Sequence, residues 1–338
     1  MDTTSTVTTT PPRARITWSR TLRRFGTLLG FLVIVAVFWW QKPDTFMTVQ
    51  NWINITRQMS ILGVVAFAST IVMVTGAFDL SVGTMASMAG IIAATLLQQG
   101  ETIPTALGIA LLAGIVGGLF NGILVAYIRI TPFVATLGTL TLFSGLALRI
   151  SGGTTIFGRA IPESIGTFGR GGIELGMLNE QRLLLPNLTI IAILALFIIW
   201  VVLEQTVFGR RLYAIGGNAE ASRLGGIRVR LLTLFAFVLS GLGAAIAGLM
   251  LLSRLATANP TQGDGLMLNA IAAVFLGMTM SEEGEPHVLG TLLGVLILGV
   301  LSNGLTQMQI NTYDQQILTG AIIILAVTIS SLSHRGRG

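Results

Sequence analysis

Apolar residues fill this chain in long runs, near 22–40, 59–76, 82–98, 104–128, 132–150, 186–203, 231–253, 266–280, 287–306 and 315–332. Most of these are long enough to cross the ~30 Å hydrocarbon core of a bilayer as a helix, the form in which a spanning segment satisfies its own backbone polar groups. The pattern predicts an all-α integral membrane protein of about ten transmembrane helices. The run at 266–280 is a short span, and 77–81 is a tight turn. The polar stretches set the organisation: a Thr-rich and basic tail over 1–21, a membrane domain over 22–332 interrupted by longer loops at 151–185 and 204–230, and a short tail over 333–338. The first run ends Trp39–Trp40–Gln41–Lys42–Pro43, with no small-residue cleavage site, and reads as an uncleaved anchor.

Charge placement orients the spans. Of the twenty Lys and Arg, thirteen fall on one side: Arg13, Arg15, Arg20, Arg23 and Arg24 at the start, Arg129, then Arg210, Arg211, Arg223, Arg228 and Arg230 in the second loop, and Arg335 and Arg337 at the end. Cytoplasmic loops carry such an excess, so both termini are expected inside a cytoplasmic (inner) membrane, with 204–230 cytoplasmic and 151–185 outside. The net charge of +6 is then accounted for by topology, and nucleic acid is not an expected partner.

Composition sharpens this. Only 10% of residues are charged, against about a quarter in soluble domains, which leaves no polar surface for a soluble body. There is no cysteine, and the two histidines, His287 and His334, are too few for a metal cluster. Lys42 is the single lysine and follows Phe38-Trp39-Trp40-Gln41, so the chain has no glycine-rich phosphate loop with its Lys. No cofactor or metal is expected on this chain, and no intramembrane constellation of acid, base and nucleophile marks an enzyme.

Spans two to five and seven to ten form two blocks of four that begin on opposite faces, and "GGLFNGIL" at 117–124 and "GVLSNGLT" at 299–306 fall on the third span of each. Inverted repeats of this kind belong to transporters, with the substrate path at their interface.

Three stretches carry the candidate chemistry. "TGAFDLSVGT", 75–84, holds Asp79, the one acid between Asp44 and Glu101. Gly76 and Gly83 bracket it, so the helix can break there, and Asp79 and Ser81 can cap the next helix start. The alternative is a direct part in substrate passage or proton transfer, the default reading of an acid inside a membrane. Gly114, Gly118 and Gly122 recur at every fourth position and make a flat stripe for close helix packing. Asn121 beside them can bond a neighbouring helix or a passing hydroxylated solute. "YAIGGNAEASRLGGI", 213–227, is a polar island in which Asn218 is a good N-cap, Glu220 suits the positive end, and Gly225 and Gly226 supply a left-handed stop. Its short helix is too small to span a membrane and has the shape of a docking element. Thr136 and Asn303, with Asp79, Ser81 and Asn121, complete the polar candidates for a path.

With these residues the chain resembles the membrane subunits of bacterial ABC sugar importers of the ribose/xylose/arabinose/galactoside type. The matching pieces are "GAFDLSVGT", "GGLFNGILVAYIRITPFVATLGTLTL", "SGLAL", "FGRRLYAIGGNAEASRLGGI", "GLMLNAIAAVFLGMTM" and "GTLLGVLILGVLSNGL", in family order. The resemblance implies a type II-like permease that moves a monosaccharide (a ribose-like pentose, a hexose or a polyol) by alternating access. It implies a separate ATPase, usually a fused tandem chain carrying ATP and Mg, a periplasmic sugar-binding protein, and a second permease copy, identical or paralogous. Gly217, Asn218, Glu220, Ala221 and Gly225 are then the residues that couple to the ATPase. The chain departs from the family pattern at "TMSEEGEP", 279–286, with Glu282, Glu283 and Glu285, and at Ser144 and Asn269. A nucleoside, an autoinducer or a branched-chain amino acid remains an alternative cargo within the ABC class. A proton-coupled secondary transporter using Asp79 is the alternative outside it.

Overall fold

A computed structural model describes residues 18–178, 181–281, 284–321 and 324. Most of the basic tail over 1–21, the acids Glu282 and Glu283, the end of the last apolar run and the 333–338 tail lie outside the described residues.

The apolar runs are helices: α1 (Trp18–Gln41), α3 (Val49–Met73), α4 (Val82–Gln98), α5 (Ile103–Ala126), α6 (Pro132–Ser151), α8 (Asn187–Trp200), α11 (Val229–Leu255), α12 (Asp264–Met278) and α13 (Val288–Gln307). A short α2 (Pro43–Phe46) follows α1, and a final helix, α14, runs over 312–321. Among the described residues, six helices are long and apolar enough to cross a membrane: α3, α5, α6, α11, α13, and α8 continued by a π turn over Val201–Gln205. The apolar part of α1 (Gly26–Gln41), α4 and α12 are shorter. At 1.5 Å per residue α4 reaches ~26 Å and α12 ~22 Å, a little under the hydrocarbon thickness. Each of the latter two follows an interruption of the chain, at 74–81 and 256–263.

Local chemistry sets the ends. Thr48 and Thr102 accept the backbone N–H of Asn51 and Thr105 at the starts of α3 and α5. α6 begins on Pro132 and stops on Gly152, which is left-handed at φ 63°.

Small residues set the packing. α5 lies on α11 through its glycine stripe, as the spacing predicts: a Cβ on Gly118 would stand 2.4 Å from the Phe237 carbonyl oxygen, and one on Gly114 2.6 Å from that of Gly241. Lipid gives helices no hydrophobic drive to associate, so this close backbone approach is the source of their attraction. α4 meets α11 at Gly248 against the Ala86 carbonyl, and α12 meets α13 at Gly294 against that of Ala273. α11 packs on α4 and α5, while α3 packs on α12 and α13. The second interruption touches the start of α4, with Gly83 against the Gly263 backbone and Ser87 Oγ accepting the Gly263 N–H at 2.8 Å.

The longer loop over 151–185 is structured. β1 (Ile156–Phe157) pairs antiparallel with β4 (Thr257–Ala258). α7 (Glu163–Arg170) lies across the end of α11, where Ser253 Oγ donates to the Ile165 carbonyl at 2.6 Å. A hairpin of β2 (Gly172–Leu178) and β3 (Gln181–Pro186) leads into α8. The other loop forms α9 (Val207–Gly217) and α10 (Ala219–Leu224).

Candidate translocation and coupling sites

α3 stops at Met73, Gly76 turns left-handed at φ 78°, and the chain runs to Ser81 before α4 begins. Asp79, only 4% exposed, anchors this break. Its Oδ1 accepts the backbone N–H of Ser81 at 3.0 Å and the Ser81 hydroxyl at 2.6 Å, and its Oδ2 accepts the Ser240 hydroxyl at 2.8 Å. Ser81 Oγ in turn accepts from Asn121 Nδ2 at 2.8 Å, and Thr136 Oγ1, which donates to the Pro132 carbonyl of its own helix at 2.8 Å, lies 3.4 Å from the Phe78 carbonyl. One polar knot therefore joins the break, α5, α6 and α11. Ser240 lies ~16 Å along α11 from its start at Val229, about halfway through a ~30 Å core. A carboxylate held at that depth needs donors, and three converge on it.

Two expectations change here. Ser81 occupies the N-cap position of α4, yet its side chain makes no capping bond: its backbone is already helical at φ −83° and ψ −8°, and its oxygen accepts the Asn121 amide instead. Asp79 closes the turn before the helix and reaches across to α11, so it ties helices together rather than capping one. Asn303 stands apart from the other four path candidates, donating to Asn51 Oδ1 at 2.9 Å. Ser240 was missed by the sequence reading; its signal is a lone hydroxyl in the middle of the 231–253 run. Asn121 is 1% exposed, and its Oδ1 has no hydrogen-bond partner.

The polar island folds as its sequence indicates at one end and differs at the other. Asn218 leaves helical geometry at φ −161° and its Oδ1 accepts the Ala221 N–H at 2.9 Å, which starts α10. At the far end only Gly226 is left-handed, at φ 83°; Gly225 is ordinary at φ −74°, so one residue supplies the stop. Glu220 pairs with Arg223 one turn on, and the guanidinium holds this exposed carboxyl below its usual range. Ser222 Oγ donates to the Ala214 carbonyl at 2.8 Å and clips α10 to α9. Gly217, Asn218, Glu220, Ala221 and Gly225 all face solvent. So does Leu224, 75% exposed at the tip, which sequence reasoning passed over because a Leu in an apolar chain carries no signal.

α9 connects this element to the Asp79 break. Gly216 faces the end of α3 so closely that a Cβ would stand 2.0 Å from the Val74 carbonyl oxygen. Beside it, Leu212 and Ile215 are buried with Ile71, Val72, Val74 and Ala77. The Tyr213 hydroxyl sits 3.1 Å from both Glu204 Oε1 and the Pro286 carbonyl; burial and the neighbouring Glu204 charge raise its pKa. α10 is thus joined through α9 to the foot of the break. Among the described residues no group of three His, Cys, Asp or Glu could hold a metal.

These features define a multi-pass helical membrane protein with a buried polar knot and an exposed, capped short helix. Residues 51–327 match the family described as branched-chain amino acid transport system / permease component, and the chain belongs to that family. It is 37% identical over 315 residues to the ribose import permease protein of Bacillus subtilis, covering 93% of this chain and 95% of that one. It is 35% identical over 334 residues to the galactose/methyl galactoside import permease protein of Salmonella typhimurium, covering 94% and 96%. The ribose import permease protein of Escherichia coli K12 is 35% identical over 305 residues, covering 90% and 92%. No solved structure matches the chain.

Proposed function

We propose that this chain is the permease subunit of an ATP-driven sugar importer of the inner membrane, moving a monosaccharide or polyol into the cytoplasm by alternating access. Full-length similarity to ribose and galactose/methyl galactoside import permeases supports the substrate class. The observation that carries the coupling mechanism is the seating of Gly216 on the Val74 carbonyl, directly below the break that holds Asp79. ATP and Mg belong to a separate ATPase, tandem-fused in the expected arrangement, which closes on Gly217, Asn218, Glu220, Ala221 and Gly225. A periplasmic binding protein delivers the sugar on the side of α7 and the β2–β3 hairpin. Two permease copies form the pore, and both termini are cytoplasmic.

The reading of two inverted blocks is supported by the exchange of partners, each of α3 and α11 packing on the following hairpin of the other block. Asp79, Ser81, Asn121 and Thr136 are assigned to the hinge at the path wall, where the buried Asn121 Oδ1 would meet a substrate hydroxyl only once the hinge opens. The occupation of Asp79 by three donors favours this structural part over that of a proton carrier. A neutral cargo matches the knot's lack of a free charge, and the family's description keeps branched-chain amino acids in the substrate panel.

The test is a gentle-detergent pull-down of the tagged native protein, followed by ATPase assays of the reconstituted complex with its binding protein and a panel of sugars, nucleosides and amino acids. A stoichiometric P-loop ATPase stimulated by one sugar is the expected result. A chain that purifies alone and supports uptake driven by a proton gradient overturns the proposal.

A further inference from the structure

Under α7 there is a cavity of roughly 490 Å³ that the transport reading leaves unused. Leu107 and Leu111 of α5, Ile191 of α8, and Ile246 and Leu249 of α11 wall it, and Phe168 of α7 closes its top. At its upper end stands Ser253, whose hydroxyl already donates to the Ile165 carbonyl, so a sugar entering here meets an apolar wall. The flanking faces of α5 and α8 expose Ile109, Leu112, Ile193 and Leu194, as a surface against lipid does.

Beyond the Ser253 end of the groove, outside its wall, three arginines approach the C-terminal end of α7. Arg254 follows Ser253 directly. Arg57 Nη2 donates to the Arg170 carbonyl at 3.0 Å, and Arg57 Nε is buried with no hydrogen-bond partner. The Arg170 guanidinium folds back over α7, its Nη2 2.9 Å from where a Gly166 Cβ would stand, and Arg254 feels the charge of Arg57. Among the described residues none of the three arginines forms a salt bridge with an acid. α7 buries Ile165, Gly166 and Gly169 while exposing Phe168, the pattern of a helix lying in a membrane interface.

We propose that this groove binds an anionic phospholipid, one acyl chain lying along α11 and its phosphate held by Arg254, Arg57 and Arg170. The apolar wall alone takes any acyl chain; the arginines beyond its end, with no salt bridge to an acid among the described residues, select the anionic headgroup, since neighbouring like charges gain from a phosphate. The site is distinct from the Asp79 knot and from α10, and it holds whatever the cargo is.

The test uses the full chain, delipidated in detergent, with thermal unfolding followed as phosphatidylglycerol or phosphatidylcholine is added back. A ligand that binds only the folded state raises the midpoint with concentration. The expected result is a rise of several degrees with phosphatidylglycerol and a smaller one with phosphatidylcholine. Leu249→Trp, which fills the groove, abolishes both responses. Arg254→Gln keeps the phosphatidylcholine response and removes the advantage of phosphatidylglycerol. If Leu249→Trp does not fold, Ile191→Trp fills the groove from the opposite wall. Equal responses to the two lipids in the unmodified chain, or undiminished responses in the filled variants, overturn the proposal. So does an Arg254→Gln chain that loses its periplasmic binding protein while responding to both lipids as before, because the arginines then serve a protein partner.

Discussion

The chain is interrupted after α3 and again after α11, the second interruption lies against the start of the helix that follows the first, and the two are held in opposite ways. The first is held from afar: Asp79 reaches Ser240 on α11, Ser81 takes the Asn121 amide of α5, and Gly216 of α9 sits on its foot. The second is held mainly by its own turn. Asn259 N–H donates to Gln262 Oε1 at 3.1 Å, and the backbone and hydroxyl of Thr261 donate to Asn259 Oδ1 at 2.9 and 2.8 Å. Its longer links are the β1–β4 pairing and a bond from Asn259 Nδ2 to Thr155 Oγ1, both to the neighbouring loop, and one bond to a helix, from the Gly263 N–H to Ser87 Oγ of α4. One break is bolted to several helices and seated on α9; the other is mostly a local turn. On the proposed coupling, motion entering at α10 would act on the first break and reach the second only through the start of α4.

The contrast can be broken at several points. The largest effect is expected for Asp79→Ala, which leaves buried donors on Ser81 and Ser240 without an acceptor at mid-membrane depth. It should destabilise by about 3 kcal/mol and abolish uptake, while Asn259→Ala, which frees only local turn bonds, loses about 1 kcal/mol; thermal unfolding in detergent separates them. Equal losses would remove the distinction between the breaks. Next, Gly118→Ala drives a methyl into the Phe237 carbonyl and should cost about 2 kcal/mol by overpacking α5 against α11, read by the same melt.

Gly216→Val separates coupling from assembly. The complex with the ATPase should form in normal yield and hydrolyse ATP, while uptake falls about tenfold, the equivalent of ~1.4 kcal/mol; unchanged uptake would sever α9 from the break. Its complement is the pair Glu220→Arg with Gly225→Pro, which should prevent ATPase association and leave membrane insertion intact. Normal complex yield from that double variant sinks the docking assignment of α10. Leu224→Asp should weaken the same association more mildly. The smallest effect belongs to Gly265→Ala in the first turn of α12. Open space surrounds that position, so the methyl should stabilise by about 0.5 kcal/mol through better helix propensity.

What the chain displayed in its sequence were the features that depend on spacing. Apolar runs became helices, the four-residue glycine stripe became the α5–α11 contact, and Asn218 began α10 as an N-cap. The features that depend on distant partners were not visible. Ser240 joins a carboxylate 161 positions away, and Gly216 meets Val74 across the fold, so neither carries a periodic mark. Asn303 resembled Asn121 in its local words but bonds Asn51 instead, since neighbours rather than motif letters decide what an amide does. The structured 151–185 loop was hidden because its turn residues and short strands have no membrane period.

The meeting of Gly83 and Gly263 has a consequence for the history of such a chain. A Cβ on either would enter the other's carbonyl oxygen, at 2.6 and 2.2 Å, and the obstacle in both directions is main chain. In most packed interiors a larger residue on one side can be accommodated by a smaller one opposite, so lineages drift through compensating pairs. Here nothing smaller exists to compensate with. The two positions are locked together for as long as the start of α4 lies against the second break, and a lineage that changes either must first rebuild the geometry of both.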